Sequence, residues 1–288
     1  MRSKIAYYGL ILPISYLPYF LLYALSDFVF IIMYYLLRYR KKVVLRNITN
    51  SFPEKTEKEH NVIMRKFYRH FCDLILESLK GFTISEKQLR KRFKLRNPEV
   101  ANQFYDQGKD VVFTGGHYNN WEILASGINF ELKHLPIGIY KPLHDKFFNK
   151  KMKSSRERFG LLLCSMRETK ATFEKKFNEP NGIIFGIDQS PSNNKKCHWM
   201  TFLNQETAVF FGAEKYAKQY NRPVIFCSIH KVKRGYYESE LHLVSENPTA
   251  TSIGELTELN TKILEKDIVT NPEFWLWSHK RWKLKREV

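Results

Sequence analysis

The feature that most constrains the fold is a run of apolar residues near the start of the chain. Residues 5–37 contain a single charged residue, Asp27, and are rich in tyrosine and phenylalanine. A helix needs about 20 apolar residues to cross the hydrocarbon core of a bilayer, so this run is long enough to span it once. No small-residue cleavage site precedes the basic residues that follow, which distinguishes the run from a secretory signal. The run predicts an N-terminal membrane helix.

Two prolines and the flanking charges refine this prediction. Pro13 and Pro18 predict a break, with an interfacial segment before it and a spanning helix from about residue 19. Whether the run crosses the bilayer or lies partly in it stays open at this point. Basic residues are more numerous after the run (Arg38, Arg40, Lys41, Lys42, Arg46) than before it (Arg2, Lys4). This bias predicts that the body of the protein lies in the cytoplasm.

The overall charge predicts anionic partners. The chain carries 47 Lys and Arg against 29 Asp and Glu, a formal net charge of +18. Such a field favours an anionic membrane face, an acidic protein or nucleic acid. The four cysteines have no CxxC spacing and no convincing set of metal ligands is present, so neither a metal nor a cofactor is predicted.

The remainder of the chain divides into two parts by its hydrophobic periodicity. Capping-box patterns at Thr56–Glu59 and at Ser85–Gln88 predict helix starts, and apolar residues recur every four positions between them. From residue 110, short β-branched runs alternate with helical patterns. The predicted strands lie at 110–114, 135–140, 182–187, 223–229 and 236–244, and the predicted helices at 120–131, 144–158, 168–178, 207–221 and 252–268.

This alternation predicts the α/β class, with a mixed, mostly parallel sheet flanked by helices. With the apolar run added, three parts are predicted along the chain. They are an N-terminal membrane anchor (1–38), a helical collar (39–95) and an α/β domain (96–288).

The stretch GGHYNNWE, residues 115–122, follows the first predicted strand. Sites in open α/β sheets form beyond the carboxyl ends of strands. With His117 in the turn and Glu122 in the first turn of a helix capped by Asn119 or Asn120, the carboxylate could orient the imidazole as a general base. This spacing also arises by chance, so a structural histidine in a polar turn is the alternative.

Further candidates lie at the ends of two other predicted strands. Lys141, Arg156 and Arg158 follow the second predicted strand and are candidates for gripping acceptor phosphates; a solvated basic face is the alternative. Asp188 and Gln189 end the strand at 182–187, where an ordinary turn is the alternative.

The tail of the chain interleaves tryptophans with basic residues. Trp275, Trp277 and Trp282 alternate with cations in WLWSHKRWK. Such a mixture stacks on single-stranded nucleic acid or lies at a lipid interface, and burial of one or two tryptophans is a third possibility. A membrane-tethered nucleic-acid-binding protein is therefore the alternative from another functional class, although no recognised nucleic-acid motif is present.

Taken together, these motifs resemble those of the lipid A biosynthesis acyltransferases, within the His-x4-Asp/Glu glycerolipid acyltransferase superfamily. The resemblance extends over almost the full length of the chain. It rests on the N-terminal apolar run, the YR…N…FP stretch (Tyr39, Arg40, Asn47, Phe52, Pro53), GGHYNNWE, YKP at 140–142, RERFG at 156–160, DQS at 188–190, ETAVFFG and PEFWLWSHKRWK. Phe202, Leu203 and Asn204 replace the usual Phe-x-Gly of the family, so no role on the donor side is carried over.

The resemblance implies a glycerolipid acyltransferase-like fold and an enzyme without a metal. It implies His117 as the base and Glu122 as its orienting partner, with an acidic or amide pair at Asp188 and Gln189. An acyl chain would pass from an acyl-carrier-protein thioester to a hydroxyl of a lipid A precursor, an anionic lipid, at the cytoplasmic side of a bacterial inner membrane. Another bacterial lipid, based on an amino acid or on glycerol, is the alternative acceptor. The resemblance implies no nucleic-acid partner.

Overall fold

The computed structural model describes residues 2–192 and 197–286. In these ranges, seven strands form one sheet and two more form a separate hairpin. The strands are β1 (Phe93–Leu95), β2 (Val111–Gly115), β3 (Leu135–Tyr140), β4 (Leu162–Ser165), β5 (Asn181–Gly186), β6 (Cys197–Phe202), β7 (Gln205–Phe210), β8 (Val224–Lys233) and β9 (Tyr236–Ser245). The order across the main sheet is β1-β9-β8-β2-β5-β3-β4, and β6 pairs with β7.

The helices precede the sheet and also connect its strands. The α-helices are α1 (Arg2–Ala6), α2 (Leu12–Tyr16), α3 (Tyr19–Ile31), α4 (Lys41–Ser51), α5 (Glu57–Lys80), α6 (Glu86–Arg92), α7 (Glu99–Asp106), α8 (Trp121–Gly127), α9 (Lys146–Glu157), α10 (Thr169–Glu174), α11 (Gly212–Tyr220) and α12 (Glu255–Thr270). Short π-helical segments (Tyr7–Ile11, Ile32–Leu36) and 3-10 turns (Ile128–Phe130, Pro248–Ala250, Pro272–Phe274) complete them.

The sheet is mixed and mostly parallel, as predicted. β8, β2, β5, β3 and β4 run parallel to one another, whereas β9 is antiparallel to β8 and β1 is parallel to β9. The central strand β2 separates two apolar cores, because successive side chains of a strand point to opposite faces. Val112 belongs to one core, and Val111 and Phe113 belong to the other. The predicted α/β class is confirmed.

The five predicted strands are all present, but β1, β4, β6 and β7 are additional. The predicted helix at 207–221 begins only at Gly212, because Gln205–Phe210 pairs with Cys197–Phe202 in the antiparallel hairpin. The sequence QETAVF carries β-branched residues that suit this strand.

Both predicted capping boxes are present, at Thr56 before α5 and at Ser85 before α6. β1 lies inside the segment 39–95 that was expected to be a helical collar, and it pairs with β9 of the main sheet. The division into three parts stays a prediction. Within the described ranges, one helical stretch, Tyr19–Leu36, has the length and composition of a membrane span.

Candidate active site

Parallel register brings His117 and Asp188 together. β2 and β5 are neighbours, with Gly115 opposite Gly186. His117 and Asp188 each lie two residues beyond these glycines. The ladder continues past the strand ends, since the Ile187 N–H donates to the Gly115 carbonyl at 3.0 Å. Equal offsets from paired residues in parallel strands place both side chains at one point of the carboxyl edge.

Asp188 fixes both the backbone and the ring of His117. Its Oδ1 lies 2.7 Å from His117 Nδ1, and its Oδ2 accepts the His117 backbone N–H at 2.8 Å. The Trp275 indole N–H donates to the same Oδ2 at 2.8 Å. Because an ionised carboxylate is only an acceptor, Nδ1 carries a proton and the neutral ring has its lone pair on Nε2.

The surroundings of Nε2 agree with this tautomer. The Gln189 amide nitrogen lies 3.2 Å from Nε2 and can donate to its lone pair. Trp121 packs edge-on against the imidazole, with ring centroids 4.9 Å apart. A side chain at Gly186 would bring a Cβ within 3.3 Å of His117 Cε1, so glycine permits the close approach of this ring. The His117 side chain is 23% exposed and can still be reached from solvent.

The pair has the electrostatics of a carboxylate–imidazole dyad. Burial alone would lower the pKa of His117, but the charge and hydrogen bond of Asp188 outweigh it, and the pKa is raised above its usual value. Burial alone would raise the pKa of Asp188, but His117 and the indole N–H lower it to about 2. Asp188 is therefore ionised at neutral pH and stabilises a protonated His117.

Glu122 does not make the predicted hydrogen bond to His117. Asn120 caps α8, accepting the Ile123 N–H at 3.0 Å, and Glu122 lies in the first helical turn as expected. Its carboxylate, however, forms a two-point contact with Arg156 at 2.9 and 2.5 Å. The predicted geometry was wrong because Asp188 already occupies Nδ1 and a guanidinium fork from α9 matches the Glu122 carboxylate better.

The other predicted site residues have different environments. Lys141 directly follows β3 and is exposed at the same edge of the sheet. Arg158 donates to the backbone carbonyls of Phe82 at 3.0 Å and Gly81 at 3.2 Å, and also to that of Ile84. Its guanidinium closes the turn after α5 instead of facing a ligand, so the expectation of phosphate binding by Arg158 is not supported.

Asp188 and Gln189 also differ from the sequence-based expectation. The sequence predicts both as substrate-binding residues, but the Asp188 carboxylate is buried beneath His117 and Trp275, so it acts on the imidazole. The Gln189 side chain instead lies beside His117 Nε2, the ring nitrogen that does not contact Asp188.

Sequence reasoning missed Trp275 as a partner of the site. Tyr118 forms an isolated bridge with Trp275, which draws the tail of the chain against the turn that carries His117. Trp275 and Trp277 are almost completely buried, and Asn47 donates to the carbonyl of Trp277 at 2.9 Å. Burial of two tail tryptophans, one of the three possibilities, is confirmed. The pairing with Asp188 has no local sequence pattern that could have revealed it.

A cavity borders the ion pair of Glu122 and Arg156. Its interior volume is only about 30 Å³, within about 540 Å³ of empty space that includes open solvent. Its lining includes Tyr19 from α3, Glu77 from α5 and Gly235 from the β8–β9 turn. Glu122 and Arg156 also influence His117, since the first raises and the second lowers the pKa of the imidazole, both more weakly than burial and Asp188. The cavity and the dyad therefore belong to one region.

No metal centre is visible in this region. Within residues 2–192 and 197–286, no group of three or more His, Cys, Asp or Glu side chains is arranged to hold a metal ion. The absence of a metal and of a cofactor stays a prediction from the sequence.

Comparison with known proteins identifies the class to which this fold and site belong. The sequence profile described as bacterial lipid A biosynthesis acyltransferase matches residues 3–284. The chain therefore belongs to the bacterial lipid A biosynthesis acyltransferase family, and it is an acyltransferase.

Two characterised relatives are similar over most of their length. A lipid A biosynthesis acyltransferase of Haemophilus influenzae is 22% identical over 250 residues, covering 85% of this chain and 78% of the relative. A lipid A biosynthesis lauroyltransferase of Escherichia coli is 19% identical over 280 residues, covering 97% and 90%. The resemblance inferred from the motifs is confirmed.

Proposed function

We propose that this acyltransferase moves a fatty acyl chain from an acyl-carrier-protein thioester to a hydroxyl of a lipid A precursor, with His117 as the general base. The observation that carries the proposal is the bond between His117 Nδ1 and Asp188, 2.7 Å long. This bond leaves the lone pair of Nε2 directed toward the accessible side of the ring.

The proposed reaction follows from this tautomer. Nε2 takes the proton of the acceptor hydroxyl as its oxygen attacks the thioester carbonyl, and Asp188 stabilises the resulting imidazolium. The tetrahedral intermediate then collapses, the carbon–sulfur bond breaks, and the imidazolium returns the proton to the departing thiolate. Gln189 must leave Nε2 as the hydroxyl arrives, because both need the same lone pair.

Arg156 and Lys141 are the proposed contacts for the anionic acceptor. Arg156 lines the cavity and is held by Glu122, so its guanidinium is oriented before a ligand binds. Lys141 is an exposed cation at the carboxyl end of β3. A phosphate-bearing lipid matches this combination, because a fixed guanidinium and a flexible ammonium can share a dianion.

The proposed donor and location follow from charge. A net charge of +18 favours an acidic carrier protein as donor and an anionic membrane face. The names of the two relatives support a lipid A precursor as acceptor. The basic residues after the apolar run support a bacterial inner membrane, with the site on the cytoplasmic side.

The test is a transfer assay with defined donors and acceptors. The purified protein is incubated with acyl-carrier-protein thioesters of several chain lengths and, separately, a lipid A precursor, a glycerol lipid and an amino-acid lipid. Mass spectrometry should detect the added acyl mass on the lipid A precursor. An added mass only on one of the other lipids would reassign the acceptor, and no added mass on any lipid would contradict the proposal.

His117→Ala tests the role of the base. Loss of a general base should lower turnover by about 10²–10⁴-fold. His198→Ala is a matched control, because the His198 side chain is also 23% exposed and its Nε2 lies 2.8 Å from a carboxylate, that of Glu258. The control should keep near-normal turnover. Near-normal turnover of His117→Ala would remove His117 from the mechanism.

A further inference from the structure

Both ends of the N-terminal apolar segment, residues 2–39, contact the body of the protein. At its start, the Ser3 hydroxyl donates to Asp145 Oδ2, 2.5 Å away at the beginning of α9. Just beyond its end, Arg40 donates to the carbonyl of Ser278 at 3.0 Å. A segment that crossed a bilayer would have its two ends on opposite sides of the membrane, so it could not make both contacts.

The middle of the segment lies along α5 in antiparallel orientation. Tyr23 of α3 donates to Glu77 at 2.9 Å, and Ser26 donates to Asp73 at 2.8 Å. Later residues of α3 thus meet earlier residues of α5. This face of the apolar helix is polar and already paired with the body of the protein.

These contacts bring charges to the centre of the candidate span. Asp73 is buried and accepts hydrogen bonds from Arg234, which also binds Asp27 at 2.8 Å. Lys231 approaches Asp73 at 3.6 Å. If Tyr19–Leu36 crossed the membrane, this cluster would lie in the hydrocarbon, where charged side chains are rare because they are costly to bury.

The opposite face of the segment is apolar and uncovered. The side chains of Phe20 and Leu36 are each 72% exposed, whereas large apolar side chains are usually mostly buried. Other large apolar residues of the segment share this exposure: Ile5, Tyr8, Leu10, Tyr16, Leu21, Phe28, Ile31, Tyr35 and Leu37. A continuous surface of this kind marks contact with a membrane or with another protein.

Cations and aromatic rings border this face. Lys151 lies 5.3 Å from the ring centroid of the exposed Tyr8, and Lys41 lies 3.7 Å from that of Tyr34. Aromatic rings beside Lys and Arg are typical of the membrane–water interface, and basic residues add attraction to anionic lipid. This combination favours a lipid surface over a protein partner.

We propose that the N-terminal segment does not cross the bilayer. It lies in the plane of one anionic leaflet, with its polar face docked on α5 and its apolar face in the lipid, and both of its ends stay on the side of the body. The break at Leu17 and Pro18 lets the two halves follow the surface in different directions. This inference rests on the proposed membrane attachment and specifies its form.

The arrangement gives the cavity a direct route to the membrane. Tyr19, at the start of α3, lines the cavity together with Glu122 and Arg156. A lipid acceptor held in the same leaflet could then present its headgroup to the cavity without leaving the membrane.

The decisive experiment measures the sidedness of both ends in bacterial membranes. Arg2→Cys and Glu179→Cys place thiols at exposed positions in the segment and in the body. Each variant is treated with a membrane-impermeant maleimide in spheroplasts and in inverted vesicles, and the unchanged chain gives the background of its own four cysteines. Both new thiols should react from the same side.

The outcomes separate this inference from the proposed function. Labelling of Arg2→Cys and Glu179→Cys from opposite sides would overturn the in-plane arrangement. Recovery of the protein outside the membrane fraction would overturn membrane attachment as well. The readout does not need acyl transfer, so an inactive protein with both thiols on one side would contradict the proposed function alone.

A second measurement tests the apolar face itself. The purified protein is diluted from detergent onto vesicles of phosphatidylcholine with phosphatidylglycerol, and bound protein is separated by flotation. Phe20→Ser with Phe28→Ser should weaken binding at least about tenfold, since both rings would leave the lipid. Ile253→Ser with Val269→Ser, also exposed, is the matched control and should bind normally. Equal binding of both double variants would overturn the assignment of this face.

Discussion

Asp188 and Glu122 are two carboxylates that act on the same imidazole from different surroundings. The Asp188 side chain is 3% exposed and accepts from His117 and Trp275, whereas that of Glu122 is 19% exposed and binds Arg156. Asp188 fixes the tautomer and orientation of the ring. Glu122 fixes a guanidinium at the wall of the cavity. The first carboxylate therefore orients the imidazole, and the second orients a guanidinium.

Strand register, and not spacing along the chain, determines which carboxylate contacts His117. Glu122 is five residues away along the chain, but the cap at Asn120 places it in the first turn of α8. There its carboxylate contacts Arg156 of α9. Asp188 is 71 residues away, but it occupies the same offset after a paired strand. Parallel register acts over any sequence distance once two strands are neighbours.

Asp188→Asn should produce the largest loss. The Oδ2 position accepts two N–H groups, so the amide oxygen would take that position and the amide NH₂ would face Nδ1. The ring would then carry its proton on Nε2 and lose the lone pair required of the base. Turnover in the acyl-transfer assay should fall by about 10²–10⁴-fold, close to the loss in His117→Ala.

The pH profile of the same variant sharpens the assignment. In the unchanged enzyme, kcat/KM should rise with pH and level off above the raised pKa of His117, because only the neutral ring is a base. Without the negative charge of Asp188, the pKa of His117 falls, and the inflection should move to lower pH. Asp267→Asn, which alters a part-buried carboxylate bound to Ser228, is the control. An unmoved inflection in Asp188→Asn would contradict the dyad.

Glu122→Gln and Arg156→Lys should each have a smaller effect, through acceptor binding. Either change weakens the two-point contact. A hydrogen bond between charged groups contributes about 1.5–3 kcal/mol, which corresponds to a loss in kcat/KM of roughly 10–100-fold. The loss in kcat/KM should appear mainly as a higher KM for the anionic acceptor. The inflection of the pH profile should move little, since burial and Asp188 dominate the pKa of His117.

A fall in kcat instead of a rise in KM would support the sequence-based expectation that Glu122 orients His117. If Glu122 orients His117, its Gln variant should lower kcat and shift the inflection, while Arg156→Lys should be nearly silent. Glu157→Gln provides a control on α9, because it removes a partly exposed pair with Lys153 at 3.5 Å. Exposed pairs contribute little, so this variant should resemble the unchanged enzyme.

The sequence could predict the parts of the molecule that depend on local patterns, but not those that depend on which strands are neighbours. The strand at 110–114 and the turn with His117 follow from local patterns, and both are present as β2 and its extension. Had β2 and β5 been recognised as neighbours, the equal offsets of His117 and Asp188 would have identified the dyad. Strand order depends on tertiary packing, which a single sequence does not state.

One other prediction was wrong for a similar reason. The sequence predicts a helix at 207–221, but residues 207–210 belong to a strand, because Gln205–Phe210 pairs with Cys197–Phe202. A distant partner thus decided the structure of this stretch. The membrane helix stays a prediction: Tyr19–Leu36 has the length and composition of a span, and Tyr23, Ser26 and Asp27 on it are paired with the body.

Trp275→Phe should have the smallest effect on the dyad. It removes one hydrogen bond to Asp188 Oδ2 but keeps an aromatic ring and both contacts with His117. Turnover should fall less than about tenfold, and the free energy of unfolding should fall by about 1.5–3 kcal/mol, because the bond is to a buried charge. Denaturant unfolding and the pH profile measure these two quantities.

Trp277→Phe isolates the contribution of the carboxylate contact. Trp277 is equally buried, packs against Trp275 with ring centroids 4.8 Å apart, and donates to the carbonyl of Pro272 at 2.6 Å. The Trp277→Phe variant should lose a similar free energy of unfolding but keep the inflection pH of the unchanged enzyme. In Trp275→Phe, the Asp188 carboxylate loses a donor, becomes a stronger acceptor and holds the proton on His117 more firmly, so the inflection should move slightly to higher pH. Identical profiles for the two variants would mean that Trp275 supports the fold alone and that His117 and Asp188 form the dyad without help from the tail.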